Sequence, residues 1–77
     1  MTDVVFPVLA RDKPHVEGVV STWFVDDGQS VTAGQLLAEV MVEKASVEVS
    51  APAAGVVRLL VAEETAVIQG AVIARIE

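Results

Sequence analysis

Seventy-seven residues make one small domain, and a chain of this size buries only about 60% of its unfolded surface, so its core must be economical. Hydrophobic residues form 53% of it, valine and alanine dominate and tyrosine is absent, a composition that suits strands. With no cysteine there is no disulfide, thiolate metal site or cysteine nucleophile, and a formal charge of −6 argues against nucleic acid or an anionic membrane as partner and for transient docking on basic surfaces.

Val4-Val5-Phe6 before Pro7, continuing to Val8-Leu9, reads as a first strand. Pro7 has no N–H to give, so it marks an edge or a strand end. Ala10 to Val16 is a polar loop carrying Arg11, Asp12, Lys13, Pro14 and His15. Gly18 to Val25 is the next strand, with Trp23 partly buried. Asp26-Asp27-Gly28 is a turn, and Val31 to Gly34 a short extended piece with a second turn. Leu36, Ala38, Val40 and Val42 then alternate with Leu37, Glu39, Met41 and Glu43. Ala45, Val47 and Val49 alternate with Ser46, Glu48 and Ser50. A period of two on both sides predicts a β-hairpin whose tip is Glu43-Lys44. These residues do not favour positive φ, so a type I turn within a slightly longer loop is expected. Ala51 to Gly55 is a loop, Val56 to Val61 a strand, Ala62 to Ala66 an acidic turn and Val72 to Ile76 the last strand.

The chain also repeats itself. Val25 to Val40 can be laid on Val61 to Ile76 at an offset of 36, with Val31 on Val67, Gly34 on Gly70 and Leu37 on Ile73. Upstream, Gly18-Val19-Val20 matches Gly55-Val56-Val57 at an offset of 37, so the first copy carries one additional residue, the mark of a β-bulge. Two copies are too few for a solenoid. The expected fold is all-β: a flattened antiparallel barrel or sandwich of two similar halves, packed face to face about a pseudo-twofold axis. Lys44 lies between the halves and has no counterpart in the repeat.

These residues resemble the biotin/lipoyl attachment family, and within it the lipoyl domains of 2-oxo acid dehydrogenase complexes. Phe6-Pro7-Val8-Leu9 is similar to the family's opening strand. Glu17-Gly18-Val19-Val20 with Trp23 and Val25 is similar to its Glu-Gly-x-Ile/Val-x-x-Trp-x-Val stretch. Gly28, Val31, Gly34 and Leu36 to Val40 follow its order, Glu43-Lys44-Ala45 resembles its Asp-Lys-Ala, and Glu48, Ser50, Pro52 and Gly55 complete the pattern. The resemblance covers nearly the whole of residues 1–77, read as a single domain that stands alone or belongs to a longer chain.

The resemblance implies two four-stranded sheets and a non-catalytic, monomeric carrier with lipoic acid in amide linkage to Lys44. Glu43, Ala45 and Gly28 would take part in recognition by the modifying enzyme, a lipoate ligase or lipoyl transferase. The dithiolane arm, roughly ten bonds long, would reach about 12–15 Å. It would be acylated at a thiamine-dependent 2-oxo acid dehydrogenase, would pass the acyl group to coenzyme A at an acyltransferase core, and would be reoxidised by dihydrolipoamide dehydrogenase. A bacterial cytoplasm is the expected compartment, or a mitochondrial matrix if a transit peptide has been removed. Met41 stands where the family often has glutamate, Val42 where it often has threonine, and the loop Ala10 to Val16 is about two residues longer and more basic than usual.

Two alternatives stand beside this reading. A biotin carrier would share the fold, but biotin domains favour methionine on both sides of the lysine, and here the neighbours are Glu43 and Ala45. An unmodified interaction module is the other. No nucleophile–base pair is evident, and His15 stands alone in its loop. Asp26-Asp27 and Glu63-Glu64 read as turns rather than metal ligands, and Trp23 reads as core.

Overall fold

The computed structural model describes residues 2–13 and 15–77. Pro14, within the polar loop, lies outside them. Eight strands form in chain order: β1 Thr2–Val5, β2 Glu17–Trp23, β3 Ser30–Val31, β4 Leu36–Val42, β5 Ala45–Ser50, β6 Gly55–Leu59, β7 Ala66–Ile68 and β8 Val72–Ile76. They make two four-stranded antiparallel sheets, ordered β1-β8-β6-β3 and β5-β4-β2-β7.

The two copies of the repeat are not one sheet each. The first copy places β2 and β4 in one sheet and lends β3 to the other, and the second places β6 and β8 in one and lends β7 to the other. The halves therefore interlock rather than pack face to face. Interlocking lets both copies close one common core, which a short chain needs. Repeat partners are buried together: Val20 with Val57, Val31 with Val67, Leu37 with Ile73, Ala38 with Ala74, and Val40 with Ile76.

The symmetry extends to individual hydrogen bonds. Gly28 N–H donates to Val57 O at 2.8 Å, and Glu64 N–H donates to Val20 O at 2.8 Å. Asp27 Oδ1 accepts from Leu59 N–H at 2.9 Å, as Glu63 Oε2 accepts from Trp23 N–H at 2.7 Å. Asp27 and Glu63 thus each cap a strand of the opposite copy. Among the described residues no group of three or more His, Cys, Asp or Glu could hold a metal.

The additional residue of the first copy is where the offset changes. Val20 faces Val40, but Thr22 faces Glu39, so the register of β2 slips at Ser21. The Ser21 hydroxyl, carried by the bulge, donates to Glu39 O at 3.0 Å. The corresponding β6–β8 pairing runs Val57–Ile76, Arg58–Arg75, Leu59–Ala74 without a slip.

Some strand limits differ from expectation. β1 ends at Val5, and Phe6 is a fully buried residue whose N–H donates to Ala71 O at 2.8 Å. Pro7, beside it, has no N–H to extend the edge pairing. β2 stops at Trp23, which is half-buried, with its indole N–H donating to Val61 O at 3.0 Å. The acidic turn ends at Thr65, because Ala66–Ile68 is a strand paired with Glu17–Val19 of β2. Three residues are too short a run for alternation to show in sequence.

Candidate functional site

The hairpin turn is two residues long. β4 ends at Val42, β5 begins at Ala45, and Val42 and Ala45 pair across the strands, leaving Glu43 and Lys44 as the loop. Glu43 has φ 54, so the turn is not the expected type I, which needs negative φ at both central residues. The physical cause is strand twist: primed turns match the right-handed twist of the strands they join, and type I turns splay them. The twist outweighs glutamate's reluctance to take a left-handed conformation, which costs roughly 1–2 kcal/mol.

This geometry puts Lys44 at the extreme of the β4–β5 ribbon, exposed. The ribbon is rooted in the core by Val40 and Val42, at 0% and 2% exposure. Gly18 of β2 lies directly beneath, against Phe6, Met41 O and Val42. The amine is thus held in place at its Cα and free at its end. Glu43 and Ala45 flank it, both exposed. The two family departures separate here. Val42 is core, so its change from threonine concerns packing. Met41 points outward at 39% exposure, facing Val19 on one side and Ser46 on the other.

The Ala10 to Val16 loop stands against the hairpin. Leu9, Ala10 and Asp12 form one wall, and Val42 to Ala45 the other, of an open cleft of about 410 Å³. Lys13 Nζ lies 4.0 Å from Glu43 Oε1, with both side chains more than half exposed. Such a pair contributes about 0–1 kcal/mol and does not fix the loop by itself. Leu9, Ala10 and Val16 pack against the core, and Gln69, in the turn between β7 and β8, ties down the loop backbone. Its side-chain amide makes four hydrogen bonds to loop backbone, with Leu9, Ala10, Lys13 and Val16. Sequence reasoning missed Gln69. The signal available was a polar residue in an apolar stretch, Val67-Ile68-Gln69-Gly70, just before a turn glycine.

Gly28 is not brought to this site. Trp23 pairs with Ala38, six residues before Lys44 and so about 20 Å away along the strand, and Gly28 lies beyond Trp23. It has φ 86 and sits against Arg58 and Val57 of β6. Its repeat partner Glu64 takes the same left-handed conformation at φ 64, so the turn explains the glycine. Arg11 and His15 are exposed on the loop.

The comparisons with known proteins agree with the geometry. The family model described as "Biotin-requiring enzyme", which covers biotin and lipoyl attachment domains, matches residues 11–76. Over 76 residues, 97% of the chain, the sequence is 38% identical to the dihydrolipoyllysine-residue acetyltransferase component of the pyruvate dehydrogenase complex of Corynebacterium glutamicum. The chain spans 11% of that relative's length. With the interlocked barrel and its lysine-tipped hairpin, these matches show that the chain belongs to the biotin/lipoyl attachment family.

Proposed function

We propose that this domain is a lipoyl carrier, with lipoate in amide linkage to Lys44, serving the active sites of a 2-oxo acid dehydrogenase complex. The observation that carries the reading is the placement of Lys44. Of the two lysines in the chain, it alone sits at the tip of a two-residue hairpin, exposed and backed by the buried side chains of Val40 and Val42. A modifying enzyme needs an accessible primary amine at a reproducible position, and the hairpin supplies both. The relative's role as a dihydrolipoyllysine-residue acetyltransferase favours lipoate over biotin, as do Glu43 and Ala45 in place of flanking methionines.

When bound, the lipoyl group supplies the acyl- and electron-carrying disulfide, while the protein supplies presentation and docking. The side chain of Lys44 loses its charge on amidation and keeps its freedom of movement. Tethering raises the local concentration of the carried group at each partner site. Glu43 and Met41 present a carboxylate and a thioether within one turn of the amine, and the loop from Leu9 supplies a wall that a partner must fit. The domain itself contributes no catalytic group. The relative's place in a pyruvate dehydrogenase complex supports membership of a multienzyme complex, and on the family resemblance the partners of this reading are a thiamine-dependent dehydrogenase, an acyltransferase core and dihydrolipoamide dehydrogenase.

Intact mass tests this directly. The domain is produced in cells given both lipoate and biotin, beside Lys44→Arg and Lys13→Arg. A single lipoyl addition that vanishes in Lys44→Arg and persists in Lys13→Arg is the expected result. A biotin addition would move the parent protein to the carboxylases. An unmodified, folded domain in a competent host would leave an interaction module and refute the carrier.

A further inference from the structure

The barrel is close to symmetric, and a marked departure from symmetry collects beside Lys44. The turn of the first copy, where Gly34 N–H donates to Ala51 O and Ala51 N–H to Gln35 O, recurs in the second. There Gly70 N–H donates to Phe6 O and Phe6 N–H to Ala71 O, all four bonds at 2.8 Å. Past these matched points the copies diverge. From Ala51 the chain reaches Gly55 in four residues, whereas from Phe6 it takes twelve to reach the matching Gly18. The added length is the loop that walls the Lys44 cleft. At the matched turn position the first copy has Ala33, exposed, and the second has Gln69, 7% exposed and the one buried polar residue among those described.

Gln69 commits its whole amide to that loop. Oε1 accepts from Leu9 N–H at 2.9 Å and from Ala10 N–H at 2.8 Å. Nε2 donates to Lys13 O at 3.1 Å and to Val16 O at 2.8 Å. A primary amide has two acceptor and two donor positions, and all four are filled. The two N–H groups and two carbonyls also fix which end of the amide is oxygen. The barrel turn does not require this residue, since Ala33 closes the same turn in the other copy. The loop does: Leu9, Ala10 and Val16 pack on the core and its exposed charges hold it weakly, but its inward-facing N–H and C=O groups at Leu9, Ala10, Lys13 and Val16 find their partner in Gln69.

We propose that Gln69 is a positioning residue: it holds the loop from Leu9 to Val16 as the wall of the cleft beside Lys44, and so sets how a modifying or acylating enzyme approaches that lysine. The second half rests on the carrier reading of Lys44, and the first does not. Gln69 acts through the loop backbone, at Leu9 and Ala10 on one wall and at Lys13, whose side chain reaches Glu43.

The test uses the whole domain with Gln69→Leu, which keeps the bulk and removes the amide. Three readouts are taken: amide hydrogen exchange, the NMR shifts of the Glu43, Lys44 and Ala45 amides, and steady-state lipoylation by a lipoate ligase. Exchange at Leu9 and Ala10 should rise about tenfold or more while the Val20 and Val40 amides stay protected. The amide shifts of the hairpin tip should move. The KM for the domain should rise about fivefold with kcat held within about twofold, and because partial unfolding also raises the apparent KM by depleting folded substrate, the retained protection of Val20 and Val40 is what assigns the change to the loop. Unchanged exchange at Leu9 and Ala10, unmoved hairpin shifts or an unchanged KM overturns the proposal. If the unsubstituted domain is never lipoylated, the carrier reading fails on its own, and exchange and shifts then decide the positioning role.

Should Gln69→Leu not fold, Gln69→Glu decides. Its ionised carboxylate still accepts from Leu9 and Ala10 but faces the carbonyls of Lys13 and Val16, and protonation restores one donor. The unsubstituted domain is the reference, since Asp12, His15 and Glu43 stand in the same loop and hairpin: loop and hairpin amide shifts whose pH dependence between about pH 4 and 8 exceeds the reference, with strand amides unmoved, support the proposal, and a pH profile the same as the reference overturns it.

Discussion

Gly18→Ala isolates the crowding beneath the lysine hairpin. Gly18 is buried in β2, outside the left-handed region, so its backbone accepts alanine. Space does not. A Cβ there meets Met41 O at 2.6 Å, Val42 Cγ2 at 2.7 Å and the Phe6 ring closer still. Phe6 and Val42 are at 0% and 2% exposure, so neither has room to withdraw, and Met41 O moves only with β4. Overpacking of this kind costs about 1–3 kcal/mol. Three obstacles, one of them backbone, place this case near the upper end, at about 3. Alanine returns roughly 0.5 kcal/mol by restricting the unfolded chain. The net loss of about 2.5 kcal/mol corresponds to a fall in Tm of roughly 10–20 °C for a domain of this size. Gly34→Ala is the control. Gly34 has φ 85 and nothing within 4 Å, so its cost is backbone conformation alone, about 1 kcal/mol. Thermal unfolding followed by circular dichroism gives both values. A Gly18→Ala protein that loses no more than Gly34→Ala refutes the packing argument.

Two further outcomes follow from the same structure. Gly28→Ala, at φ 86, should destabilise the domain by about 1–2 kcal/mol. Lipoylation of its folded fraction should proceed at the rate of the unsubstituted domain, and a slower rate at a temperature of full folding would return Gly28 to the enzyme contact. Trp23→Phe removes the indole donor from Val61 O and should lower stability by about 1–2 kcal/mol. Urea denaturation should show a reduced midpoint with an unchanged slope.

Much of the fold was legible because it is written in short-range pattern. Strict alternation on either side of Glu43-Lys44 gave the hairpin and the residue at its tip. The change of offset from 37 to 36 between Gly18 and Val25 announced the bulge, which the structure puts at Ser21. β7 was harder, since three residues carry too little periodicity, although its repeat partner Val31 pointed to Val67 as core. Glu63 read as a solvated turn because nothing local shows that its carboxylate caps Trp23 N–H, 40 residues away.

The sequence by itself therefore determined every strand but β7 and the place of Lys44, since each follows from neighbours in the chain. Tertiary structure alone decided three things. It interlocked the two copies, because closing a common core requires strands from both. It turned Glu43 left-handed, because the twist of β4 and β5 is set by the whole sheet. And it set Gln69 against the loop beside Lys44, because hydrogen bonds spanning 53 to 60 residues exist only once the barrel has brought their ends together.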